Sequence, residues 1–364
     1  MWKNKTISII LSILLITTIV VLSFLILKVN KLQSKILFIT WEDLVDITEY
    51  QKDFDFKLFE ETSLKNLWEL DKSIVAIYAK KNIEIVEDGE DWPQSIIETS
   101  NKLEGNGVLL THDWYILTNK HVVQDKNAEY KIILQNQEFP VDKIRYDDWL
   151  DLAVIKIKPK DNLTASKIIK IQDKSKIWQI VFALKKDPDI WETITKMWII
   201  NSLNQKFKID NNNIYVWLIK TSTSIEPWFS GWPLINLNWE IIAINTAIDN
   251  LEYWASYSLP INQEFINQTL SSIKQSWQII RPEIGIKYES NPIGVRVISI
   301  EDNSNAQKAW LQINDIILGI NSVEINYSNF LYELFTYNPE KQVVLNVQRW
   351  ANKYEIQVNL WTKK

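Results

Sequence analysis

The pattern of apolar and polar positions divides the chain into three kinds of stretch. Ile7 to Leu27 is a run of 21 uncharged, mostly apolar positions. At 1.5 Å per residue it is long enough to cross a hydrocarbon core of about 30 Å, so it predicts one N-terminal transmembrane helix. From Ser73 onward the pattern changes to short alternating or apolar segments. Gly107–Leu110, Trp114–Thr118, Tyr130–Leu134, Pro140–Tyr146 and Leu152–Ile157 make one set of strands. Gln179–Leu184, Thr193–Ile200, Ile214–Ile219, Ile241–Asn245 and Ser256–Leu259 make a second. Two such sets predict two all-β barrels or sandwiches packed together. Ile261–Ile273 has helical spacing and closes that region. After a linker at Gln275–Ile280, strands and two short helices (Asn305–Ala309, Ser328–Tyr337) predict a separate αβ module.

These patterns place a membrane anchor at residues 1–35, an acidic stalk with some helix at 36–70, a β domain at 71–275 and the αβ module at 280–364. No small-x-small cleavage pattern precedes Lys28, so the apolar run reads as a retained anchor. Lysines flank it on both sides and leave orientation undecided by charge. The short N-terminal tail, with nothing to fold there, favours the bulk of the chain lying outside the cytoplasm. Glu84–Asp91 is acidic and reads as an exposed loop.

Charge and composition remove whole classes of function. The net charge is −5 and no basic cluster occurs, which leaves nucleic-acid binding without electrostatic support. There is no Cys and there are two His, so disulfides are excluded and a structural zinc site has few ligands to draw on.

The chain has 18 Trp and 7 Gly, together 25. Ordinary usage of roughly 7% would give about 25 Gly alone. Trp114, Trp239 and Trp310 sit in turn or helix-end contexts where glycine supplies a positive φ without steric cost. The pattern implies that many of these Trp are glycine in the cell, from UGA codons read as Gly. The alternative is a Trp-rich protein from an AT-rich genome, a bias that gives no reason for Trp to occupy turns.

Candidate chemistry centres on Thr221–Leu234, in which Ser230 sits on a tight turn before a buried hairpin. A nucleophile there needs an exposed hydroxyl and convergent N–H groups, which calls for glycine where Trp228 and Trp232 stand. His121 ends an apolar strand, whereas His112 lies in the turn Thr111–Asp113 and reads as a solvated histidine. Asp151 opens the apolar strand Leu152–Ile155, so it is placed to orient an imidazolium. Asp147 and Asp148 read as exposed loop carboxylates. With glycine at 228 and 232 the segment would also complete Gly-x-Ser-x-Gly, but that hydrolase elbow wants its His after the Ser and none follows His121.

Three segments together, Gly105–Val108 with Thr118–Val123, then Asp151–Val154, then the Ser230 turn, resemble the HtrA/Deg family of trypsin-like serine proteases. The resemblance implies a mainly β fold, a chymotrypsin-like double β-barrel protease domain. It implies Ser230 as nucleophile, His121 as general base and acid, and Asp151 as its orienting partner. The N–H groups of Trp228 (expected Gly) and Ser230 then form the oxyanion hole, and Ile225 lines the P1 pocket, favouring a small to medium aliphatic side chain. Phe229 and Phe182–Lys185 depart from the family pattern and put the activation loop's shape in question. The αβ module resembles a PDZ domain, with Glu283, Ile284, Gly285 and Ile286 as the peptide carboxylate-binding loop. The family implies polypeptide substrates and peptide C-termini as partners, a homotrimer in the cell envelope, and no cofactor or metal. The competing reading is a tethered peptide-binding pseudoprotease whose oxyanion loop is dead.

Overall fold

The computed structural model describes residues 56–87, 94–158, 171, 175–187, 192–208, 214–222, 230–248 and 255–362. The apolar run at 7–27 and the residues Ile225 and Trp228 lie outside them. Among the described residues no helix is long and apolar enough to cross a membrane. Lys65–Lys364 make up one compact unit, which contains every strand among the described residues.

Helix α1 (Phe56–Asp71) leads into the first barrel, built of β1 (Ile74–Glu87), β2 (Gln94–Leu109), β3 (Tyr115–Thr118), β4 (Glu129–Leu134), β5 (Gln137–Tyr146) and β6 (Ala153–Ile157). It closes in the order β1-β2-β3-β6-β5-β4. The second barrel holds β7 (Ile180–Asp187), β8 (Glu192–Lys208), β9 (Ile214–Thr221), β10 (Pro233–Asn236), β11 (Ile241–Ile248) and β12 (Ser256–Pro260). Read from β7, its order is β7-β8-β9-β12-β11-β10, the same connectivity as the first. Closure leaves neither sheet with an unpaired edge.

Period-2 alternation explains how the barrels pack. On β3, Ile116 points into the first barrel with Val75, Leu109 and Ile155, while Tyr115 and Leu117 face a larger cluster. That cluster also takes Leu218, Ile235, Ile244 and Leu259 from the second barrel. Continuous apolar runs are therefore required of strands buried on both faces.

The acidic stretch expected as a loop differs in part. β1 continues through Glu87 because each of its residues finds a backbone partner on β2, Glu84 opposite Ile97 and Glu87 opposite Gln94. Charge places side chains, but a ladder of paired backbone groups decides where a strand ends.

Helix α2 (Gln263–Ser276) starts at Asn262, whose side chain accepts the Phe265 N–H, and stops at Trp277, φ 55°, whose N–H donates to the Ile273 carbonyl. The stretch read as a linker is anchored, since Ile279 within it and Arg281 directly after it are buried. The C-terminal sheet contains β13 (Ile286–Asn291), β14 (Gly294–Ile300), β15 (Ile316–Ile320), β16 (Val323–Glu324), β17 (Gln342–Arg349) and β18 (Asn352–Asn359), with helices α3 (Asn305–Lys308) and α4 (Phe330–Phe335). Its strand order is β13-β14-β15-β17-β18, with β16 on β15. Helix α4 meets the second barrel through Phe335 on Trp217, edge to face at 6.2 Å, and meets α2 through Tyr332 stacked on Phe265 at 6.0 Å.

Candidate active site

Strand β3 runs buried to Thr118, and the chain then delivers Asn119 and His121 to the border between the barrels. Strand β6 is preceded by Asp151, 5% exposed. His121 Nδ1 lies 2.7 Å from Asp151 Oδ2, and the His121 backbone N–H donates to Oδ1 at 3.0 Å. The imidazole is 38% exposed against 4% for the carboxylate, so the ring reaches solvent from an enclosed anchor. This is the geometry of a base held by one edge with its other edge open to a substrate.

The Ser230 turn comes to the same place from the second barrel. The Ser230 carbonyl accepts the Asn106 N–H at 3.0 Å, and Gly231 N–H donates to the Asn245 carbonyl at 3.0 Å and to Asn119 Oδ1 at 2.6 Å. Gly231 has φ +82°, and a Cβ there would fall 1.8 Å from the Asn106 carbonyl oxygen. Glycine after Ser230 is thus set both by the left-handed backbone and by a close approach to β2. Trp232, where glycine was expected, is not among the positive-φ residues and is fully buried in the second barrel's core. His112 is exposed in its turn, as its context implied.

Two residues that sequence reasoning passed over complete the cluster. Thr246 donates to Asp151 Oδ2 at 2.6 Å, and Asn119 Nδ2 donates to the Asp151 carbonyl and to Thr246 Oγ1, each at 3.0 Å. Asn119 lies in the Thr-Asn-Lys-His run itself; Thr246 is 95 positions from Asp151 and has no local signature. Asp147, read as an exposed carboxylate, is fully buried instead. It accepts from Arg281 Nε and Nη2 on Oδ2 and from the Trp149 and Leu150 N–H groups on Oδ1, which replaces the hydration it gives up.

In the C-terminal module, the carbonyls of Glu283, Ile284 and Gly285 accept from the N–H groups of Trp361, Ala306 and Glu301 at 2.9, 3.0 and 2.9 Å. A trans peptide points its N–H opposite to its C=O. The N–H groups of Ile284, Gly285 and Ile286 therefore turn away from those partners. Gly285 has φ +82°, and a Cβ there would sit 2.3 Å from Ser304 Cβ. Beside this loop Tyr288 of β13 packs edge to face on Phe330 of α4 at 4.8 Å.

Comparison with known proteins accords with this geometry. Residues 105–244 match the trypsin-like peptidase domain family, and residues 282–360 the PDZ domain family. The chain is 27% identical over 265 residues to serine endoprotease DegS of Haemophilus influenzae, covering 70% of this chain and 76% of that one. It is also 27% identical over 274 residues to a probable periplasmic serine endoprotease DegP-like of Hahella chejuensis, covering 70% of this chain and 56% of the relative. The chain thus spans about half the length of such DegP-like relatives. Among solved structures, the HtrA-type protease AlgW with decapeptide superposes with TM-score 0.59 at 19% identity, over 82% of this chain and 98% of that one. That likeness is one of fold.

Proposed function

We propose that this chain, which joins a trypsin-like peptidase domain at residues 105–244 to a PDZ domain at residues 282–360, is an HtrA-type serine endopeptidase of the cell envelope. The observation that carries the reading is the 2.7 Å contact of His121 Nδ1 with Asp151 Oδ2, beside the Ser230–Gly231 turn. Ser230 Oγ attacks the scissile carbonyl, His121 Nε2 takes its proton and returns it to the leaving amine, and Asp151 holds the ring and offsets the imidazolium charge. Backbone N–H groups of position 228 and Ser230 receive the oxyanion, and Ile225 lines the P1 pocket. The loop at Glu283–Ile286 receives the carboxylate of a peptide C-terminus, whose chain adds a strand beside β13. Residues 7–27 anchor the chain, and the assembly is a homotrimer acting on misfolded or regulatory polypeptides without cofactor or metal.

A fluorophosphonate probe tests this directly, with the full chain in detergent. Labelling of the wild type and none of Ser230→Ala supports the endopeptidase. A wild type that resists labelling yet binds peptide C-termini supports the pseudoprotease scaffold instead.

The tryptophans bear on the same choice. Among the described residues, half of the fourteen non-glycine residues with positive φ are Trp: Trp114, Trp178, Trp217, Trp239, Trp277, Trp310 and Trp350. Bulky aromatics avoid that region. Five of the others are Asn, the residue after glycine that tolerates it. This supports glycine at those seven positions in the native protein; position 228 lies outside the described residues. Position 232 gains no support from φ. Tandem mass spectrometry of native peptides decides the matter, and Trp at 114, 239 and 350 would overturn it.

A further inference from the structure

The protease reading explains His121, Asp151 and Ser230 but leaves unexplained a fully buried amide between them. Asn119 is 0% exposed, and both ends of its side chain are engaged by groups from different segments. Its Oδ1 accepts the Gly231 N–H at 2.6 Å; its Nδ2 donates to the Asp151 carbonyl and to Thr246 Oγ1. The amide's orientation is set by partners whose roles are fixed. Gly231 N–H only donates, so it must meet the oxygen, and the Asp151 carbonyl only accepts, so it must meet the nitrogen.

We infer that Asn119 is a positioning residue for the Ser230 site, acting through Thr246 and Asp151 on the tautomer of His121. The inference rests on the protease reading and extends it by one side chain. Because an Asn119 N–H fills the lone pair of Thr246 Oγ1 that faces it, the threonine's own proton turns to Asp151 Oδ2, 2.6 Å away. That carboxylate then receives Thr246 O–H, the His121 backbone N–H and the imidazole edge, all as an acceptor. An acceptor-only carboxylate requires the proton on Nδ1 of His121, which leaves Nε2 as the base. The same amide holds Gly231, so the nucleophile's turn and the base's carboxylate are fixed by one group.

Asn119→Asp has nearly the shape of the native residue and still accepts from Gly231, but it replaces the donor by an acceptor toward both Thr246 and the Asp151 carbonyl. The threonine proton then turns to residue 119, and Asp151 loses a donor. A lost hydrogen bond to a charged group corresponds to about 10- to 100-fold in rate. Asn119→Asp is expected to lower kcat by that factor with KM within about twofold, and the Asn119→Asp/Thr246→Val double variant to be no worse than the poorer single one. Thr246→Ser, which keeps the hydroxyl, is expected to restore most of what Thr246→Val loses. Wild-type kcat in Asn119→Asp, or losses that multiply in the double variant, overturn the inference.

A readout that needs no turnover separates this from failure of the protease reading. In a Ser230→Ala background, ¹⁵N-histidine NMR of the full chain in detergent is expected to show His121 protonated on Nδ1, with the Nε2–H form gaining population in Asn119→Asp. An unchanged tautomer overturns the role of Asn119 even if Ser230 proves active. Should Asn119→Asp fail to fold, the Thr246→Val and Thr246→Ser pair is read by the same NMR experiment. A tautomer shift in Val but not in Ser supports the inference, and no shift in either overturns it.

Discussion

Arg281 donates from Nε at 2.8 Å and from Nη2 at 2.6 Å to one oxygen, Oδ2, of Asp147, and both side chains have zero exposure. Its Nη1 reaches Gln268 Oε1 and Thr269 Oγ1 on α2, at 2.6 and 3.0 Å, and the guanidinium lies over Phe265 and Phe335. The pair ties the loop leading to Asp151 to the start of the PDZ domain.

Removing one partner leaves an uncompensated buried charge, which costs about 3–5 kcal/mol. Asp147→Leu and Arg281→Met are therefore each expected to lower the denaturant midpoint strongly. The Asp147→Leu/Arg281→Met pair is expected to be less damaging than the more harmful of its two single variants, because no charge is stranded. Urea unfolding of the four proteins checks the order, and a double variant as unstable as the sum of its parts would contradict it.

Gly231 offers a second test of geometry against composition. A Cβ at this residue meets the Asn106 carbonyl at 1.8 Å and Thr118 Oγ1 at 2.7 Å, so Gly231→Ala must push the Ser230 turn away from β2. The turn also loses its bond to Asn119. Loss of fluorophosphonate labelling is expected together with a destabilisation of about 2 kcal/mol or more, since both strain and a left-handed φ are imposed. At Gly319, where the nearest atom to a new Cβ is the Asn346 side-chain nitrogen at 3.0 Å and φ is not positive, Gly319→Ala is expected to leave labelling intact.

What the sequence made legible follows from the range of the forces involved. Strands such as Tyr115–Thr118 and Ala153–Ile157 announce themselves because burial on both faces demands an unbroken apolar run. His121 and Asp151 were readable because each borders such a strand. The buried role of Asp147 was not, since a carboxylate beside Asp148 looks like any acidic turn until Arg281, 134 positions later, is brought to it. Thr246 is invisible for the same reason. Hydrogen bonds between distant segments leave no local pattern.

Tyr337 supplies a pH-dependent prediction. Burial, reinforced by its 2.7 Å hydrogen bond to Glu333 Oε1, pushes its phenol up from 10.0 to about 12. The folded state thus keeps a proton that the unfolded chain gives up near pH 10. Its stabilising contribution is fully present below pH 10 and is lost as pH rises toward 12. Tyr288 is displaced in the same direction by burial. Stability of the full chain is expected to fall through this window, and Tyr337→Phe to make the fall shallower. An alkaline limb as steep in Tyr337→Phe as in the wild type would refute the assignment.

Backbone conformation separates the tryptophans in protein made with Trp at every such position of the sequence. Trp310 and Trp350 have φ 63° and 56° and are 81% and 91% exposed. Glycine there relieves a left-handed penalty of roughly 1–2 kcal/mol and forfeits little packing, against an entropic cost of about 0.5–1 kcal/mol. Trp310→Gly and Trp350→Gly are therefore each expected to be neutral or to stabilise by up to about 1 kcal/mol, read as an unchanged or raised Tm. Trp198 is 2% exposed in the second barrel and is not among the positive-φ residues. Trp198→Gly is expected to cost at least about 3–5 kcal/mol, because it opens a cavity and relieves no strain. The split in sign follows from φ and burial alone. If all three variants lost stability alike, the left-handed conformations at 310 and 350 would not be strained, and the argument for glycine at those turns would fall with them.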